Sequence, residues 1–100
     1  MRRSDLSVAA IYDGPRVTVS LAGAFTAATC KDVEPICRHV VRRPQLEEFL
    51  FDLRRLTSID QAGVACIVDA RDRCAERGAR VTLDVGEAVR PALERAGLAS

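Results

Sequence analysis

Residues 49–63, reading FLFDLRRLTSIDQAG, constrain the fold more tightly than any other stretch of this chain. Phe49, Leu50, Phe51 and Leu53 form a nearly continuous apolar run, the pattern of a strand covered on both faces within a parallel sheet. A short polar loop is expected next. Asp60 then precedes Gln61-Ala62-Gly63 and the apolar run Val64-Ala65-Cys66-Ile67-Val68. Asp is a favoured N-cap because its carboxylate accepts hydrogen bonds from the free N–H groups of the first helical turn. The segment therefore predicts a strand that delivers a helix N-terminus to the carboxyl edge of a sheet, where open α/β folds place their sites.

The rest of the chain supplies the partners such a strand needs. Residues 7–12 and 16–21 are β-prone and are separated by the turn Asp13-Gly14-Pro15, so they read as an antiparallel hairpin. In the second run Val17, Val19 and Leu21 alternate with Thr18 and Ser20. Residues 27–43 carry Cys30, Val33, Cys37, Val40 and Val41 at helical spacing. Pro35 inside that stretch removes a backbone donor and predicts a kink or a late start, and Pro44 ends the helix. The central strand is expected over 48–53 and a second helix over 61–77, with Gly78 as its terminator. Val81, Leu83 and Val85 alternate as a further strand over 80–85, and 87–96 forms a short helix that Pro91 starts and Gly97 stops. The order β-β-α-β-α-β-α defines an α/β fold, a mixed sheet of about four strands with three helices, in one domain spanning 1–100 with a core over about 7–98.

Composition narrows the function. A net charge of +1 with 4% aromatic residues argues against nucleic acid, although Arg2-Arg3, Arg42-Arg43 and Arg54-Arg55 form basic pairs. The N-terminus lacks the apolar segment of a signal peptide, and no run approaches the ~20 residues needed to span a bilayer, so a cytoplasmic location without membrane insertion is expected. In that compartment the four cysteines are read as reduced, buried small hydrophobes. Cys30 and Cys37 fall on one helix and Cys66 and Cys74 on another. Each pair lies ~10–12 Å apart along its helix, too far for a disulfide, so only a cross-helix pair can bond. No Cys-x-x-Cys occurs and His39 is the one histidine, so no metal or other cofactor is expected. Neither a glycine-rich phosphate loop nor a nucleophile–base arrangement is present, and an enzyme is not expected.

The segment Asp52-Leu53 followed by Asp60-Gln61-Ala62-Gly63 resembles the signature of STAS domains, the family of bacterial anti-sigma factor antagonists. A second stretch, Gly23-Ala24-Phe25-Thr26, resembles the family's strand-to-helix loop beside the signature, with Thr26 in place of the usual Asp. The resemblance runs from Ser7 to Leu98. Family members usually continue with another strand and helix, for which this sequence has no residues, so either this is a short member or the chain is trimmed. In regulatory members the Ser after the signature Asp is phosphorylated by a partner kinase, and this chain has Gln61 there.

The resemblance implies a protein-binding regulator whose partner is an anti-sigma factor of the serine-kinase type. Its partner-binding residues would be Thr26, Ser58, Asp60, Gln61, Ala62 and Gly63. Gln61 cannot take a phosphate, so the usual switch is lost; its neutrality favours a permanent binder, whereas its bulk favours a blocked surface. Thr57 and Ser58 are the weaker candidate phospho-acceptors. The alternative is a STAS subunit of a larger assembly, such as a lipid-transport or stress-sensing complex.

Overall fold

The strands of the sheet lie in their chain order, and this decides where everything else goes. The structure, a computed structural model, describes residues 6–98. Its elements are β1 (Leu6–Asp13), β2 (Arg16–Phe25), α1 (Cys30–Val41), β3 (Glu48–Ile59), α2 (Gln61–Glu76), β4 (Arg80–Val85) and α3 (Arg90–Arg95). The sheet order is β1-β2-β3-β4, with β1 antiparallel to β2 and the other neighbours parallel. The fold is thus α/β with a four-stranded mixed sheet and three helices.

The two parallel connections, β2-α1-β3 and β3-α2-β4, step across the sheet in the same direction. Right-handed crossovers that never reverse place both helices on one face. The molecule measures 36 × 35 × 18 Å, and the shortest dimension fits two layers rather than three. Val17, Val19, Leu21, Phe49, Phe51 and Leu53 point into the helical layer and are buried. The intervening Thr18, Ser20, Leu50 and Asp52 are only half-buried.

The sequence expectation of a strand covered on both faces is therefore corrected. Leu50 lies across from Thr18 and Thr82, and Thr18 in turn faces Ile11, which is 60% exposed. On this open face Asp52 receives two hydrogen bonds from Arg54, at 2.9 and 3.0 Å. That guanidinium holds the Asp52 carboxyl below its ordinary value. Among the described residues no helix is long and apolar enough to cross a membrane.

Two boundaries differ from the sequence reading. β3 runs on to Ile59, so the expected polar loop after Leu53 is strand, and Thr57 and Ser58 sit in it. Pairing with β2 continues to Phe25↔Ile59, but only through two register shifts, between Ser20 and Ala22 and between Gly23 and Ala24. Bulges of this kind break the alternation by which a strand is recognised. α1 begins at Cys30 rather than near Ala27, and Pro35 lies inside it. The hydroxyl of Thr29, buried in the loop, accepts from Thr26 N–H at 2.9 Å and donates to the Ala24 carbonyl at 2.8 Å, holding these residues as a turn.

The end of α2 ties the helical layer together. Ala79 N–H donates to the Cys74 carbonyl and Gly78 N–H to the Ala75 carbonyl, at 2.9 and 3.1 Å. This closing pattern needs the left-handed backbone that Gly78 adopts at φ 77°. Arg77 does not serve its own helix end: its guanidinium donates to the carbonyls of Val41 and, at 2.6 Å, Arg43, at the end of α1. The Val41 carbonyl is one that the helix itself leaves unpaired, while the Arg43 carbonyl, just past the helix, also accepts from Leu46 N–H. Replacing Arg77 by Ala is expected to cost ~1–2 kcal/mol in urea unfolding, with Lys restoring only part because an ammonium lacks the planar fork.

Candidate functional site at the start of the second helix

β2 and β3 end side by side, and the site grows from that fact. Asp60 N–H donates to the Phe25 carbonyl at 3.2 Å, extending the contact one residue past the sheet. The backbone of Asp60 is extended, and its side chain then caps α2: Oδ1 accepts from Gly63 N–H at 3.0 Å. The second oxygen is used elsewhere. Oδ2 accepts from Ala27 N–H at 3.0 Å, in the loop between β2 and α1. One carboxylate thus ties the helix start to the neighbouring loop.

Both bonds favour the ionised form, first the one from Gly63 and then the one from Ala27, and together they lower the Asp60 pKa from its ordinary value. Gly63 makes the close approach possible. A Cβ there would lie 2.5 Å from the Phe25 carbonyl oxygen and 2.8 Å from Ile59 Cγ1. The oxygen that receives the Asp60 N–H thus fills the space a side chain would need.

Of the residues expected to bind a partner, Asp60, Ala62 and Gly63 are joined by this geometry. Thr26 is brought beside them through its neighbour Ala27, and its backbone is held by Thr29. Gln61 is exposed in the first turn of α2, and among the described residues its amide has no hydrogen-bond partner. No acidic residue follows Asp60 in that turn. Ser58 and Thr57 are exposed on the last stretch of β3, with Ser58 opposite Ala24. Arg42-Arg43 and Arg54-Arg55 lie in different parts of the fold; Arg2-Arg3 and Ser100 fall outside the described residues.

Sequence reasoning missed the surface beside the helix start. Ile59, Gln61, Val64 and Val68 face Ala92 and Ala96 across a cleft of about 850 Å³ between α2 and α3. The signal lay in α2, where Val64, Ala65 and Val68 are apolar yet fall outside the core stripe Gly63, Ile67, Ala70 and Cys74. The second bond of Asp60 left no signal because it joins separate segments, and the role of Thr29 left none because its hydroxyl bonds to backbone groups of its own loop.

A family model described as Mlab, STAS domain, matches residues 12–100. The fold is similar to that of the anti-sigma factor antagonist SpoIIAA in its unphosphorylated form, with a TM-score of 0.80 at 15% identity, covering 92% of this chain and 82% of that one. An anti-sigma factor antagonist from Mycobacterium paratuberculosis aligns with a TM-score of 0.79 at 17% identity, covering 93% and 79%. A sulfate transporter family protein from Wolinella succinogenes gives 0.71 at 20% identity, covering 88% and 71%. No curated protein matches the chain.

Two measurements check the geometry of the site. Gly63→Ala is expected to cost ~2 kcal/mol or more, because the backbone carbonyl in its way cannot swing aside as a side chain would. That loss would lower the melting temperature by about 4 °C or more for each kcal/mol. Because its pKa is depressed in the folded state, Asp60 contributes stability above its unfolded value, about 3.9, and loses it as pH falls through the folded value. Asp60→Asn keeps a capping oxygen but no titrating group. Its melting temperature should fall less steeply than the wild type's below about pH 4, with Asp52 supplying the acid sensitivity that remains.

Proposed function

The chain belongs to the STAS domain family, and we propose on that premise that it is a protein-binding regulator of the anti-sigma factor antagonist kind. It would act in the cytoplasm by docking the start of α2, with the Thr26 loop, onto an anti-sigma factor of the serine-kinase type. The observation that carries this reading is the double use of Asp60. Its carboxylate fixes the helix start and the adjoining loop as one surface, and the Val64–Val68 side of α2 borders that surface with an apolar cleft. The likeness to two anti-sigma factor antagonists supports the choice of partner.

Gln61 gives the proposal its particular form. A phosphoserine would add nearly two negative charges at this position. The helix N-terminus tolerates such charge, so the change would fall mainly on what the surface offers a partner. Gln61 is neutral and exposed, and it offers an amide where a serine hydroxyl would otherwise bond. The protein would therefore remain in the binding state whatever the kinase does. Ser58 and Thr57, exposed on β3 beside the site, are the places where a phosphate could still be added.

A second reading, a STAS subunit within a larger assembly such as a lipid-transport or stress-sensing complex, draws support from the likeness to a sulfate transporter family protein. It needs no phospho-switch. Pull-down with the host's anti-sigma factors in the presence of ATP separates the two. The first reading predicts that wild type binds one kinase stably and that Gln61→Ser binds and is then released on phosphorylation. Gln61→Glu and Asp60→Arg should each weaken binding by about ten-fold or more, since misplaced charge at an interface is costly. Absence of binding by the wild type, with a stable larger complex recovered instead, would favour the second.

A further inference from the structure

We propose that Cys37 and Cys66 form a dithiol modification site, which a hydroperoxide converts to a disulfide linking α1 to α2. The two residues come from different helices, Cys37 from α1 and Cys66 from α2, and meet where those helices pack. Both line one cleft of about 90 Å³, room for a molecule of peroxide, given that a water takes up ~30 Å³. Cys37 is 6% exposed, whereas Cys66 is half-buried and also borders the opening on its other side, near Cys30 and Ala62. An oxidant therefore reaches Cys66 first. The cleft's charged neighbours are paired with one another, Glu34 with Arg38 at 3.9 Å and Asp69 with Arg73 at 2.9 Å. They present no net field that would exclude a neutral oxidant.

The pair divides the chemistry between its members. The Cys37 thiol beside it lowers the pKa of Cys66, and that same contact together with burial raises that of Cys37. Thiolate is the nucleophilic form, and Cys66 is the sulfur open to the oxidant, so Cys66 attacks. Its sulfur forms an S–O bond with the peroxide as the O–O bond breaks, and the departing hydroxide takes up a proton to leave as water. The resulting sulfenic acid lies against Cys37, whose sulfur then attacks it. The S–S bond forms, the S–O bond breaks, and hydroxide leaves with the Cys37 proton as a second water. Two thiols are oxidised by two electrons, and one hydroperoxide is reduced. Cys74 is fully buried, and neither it nor Cys30 shares the cleft that Cys37 and Cys66 line together.

Each cysteine falls in its own tryptic peptide, those of Cys37 and Cys66 being residues 32–38 and 56–71, so linkage can be mapped without ambiguity. Folded full-length protein is treated with hydrogen peroxide, free thiols are counted under denaturing conditions, and the peptides are analysed by mass spectrometry. The expected result is loss of two of the four thiols, a link between peptides 32–38 and 56–71, and full recovery with dithiothreitol. Cys30→Ser and Cys74→Ser should retain the link, while Cys37→Ser should leave Cys66 as a sulfenic or sulfinic acid. Peroxide added in urea should yield mixed pairings instead. Retention of all four thiols in the folded protein, a different pairing, or sulfinic acid at Cys66 while Cys37 is present would overturn the proposal.

Discussion

The Phe25 carbonyl and the Asp60 carboxylate together decide how this molecule presents its working end. The carbonyl accepts the Asp60 N–H and occupies the space beside Gly63, which is why position 63 carries no side chain. The carboxylate answers from the other direction, bonding Gly63 in its own helix and Ala27 across the gap. Neither contact is strong alone, since each exchanges a bond to water for one within the protein. Their effect is geometric. Two loops that would otherwise move independently become one surface at the carboxyl end of β2 and β3, and the amide of Gln61 stands exposed upon it.

The one-sided sheet gives that surface its setting. Because the chain crosses the sheet in a single direction, α1 and α2 pack against each other as well as against the strands. The Arg77 bonds to the end of α1 lie at the far end of the same pair of helices. Between the two ends sit Cys37 and Cys66, so a covalent link there would join the helices midway along their contact. The helix start, the cleft beside Val64 and Val68, and the dithiol all belong to this helical layer. The opposite face is a different kind of surface, with Arg54 held between Asp52 and Asp84 at 2.9 and 3.4 Å.

Much of this was legible in the residues. Alternation marked β4 to the residue, the Asp13-Gly14-Pro15 turn marked the hairpin, and Asp60 announced the N-cap that it makes. The close-packing role of Gly63 also follows from its place between an N-cap and an apolar helix. What sequence did not carry were consequences of separate segments meeting. β3 hides its last residues behind bulges that spoil the two-residue period. Leu50 is as apolar as its neighbours, yet faces the open side because crossover handedness puts the helices on the other. Ala27, Thr29 and Arg77 act through partners distant in the chain or through backbone groups, for which no side-chain pattern exists.

The most direct test of the account is the hydrogen exchange of two amides, Ala27 and Gly63, measured by NMR in the wild type and in Asp60→Ala. If one carboxylate joins the helix start to the neighbouring loop, both amides are protected in the wild type, and both lose protection together in the variant. Loss at Gly63 alone, with Ala27 unchanged, would mean that the loop holds its place without Asp60, and the single surface on which the functional reading rests would not exist.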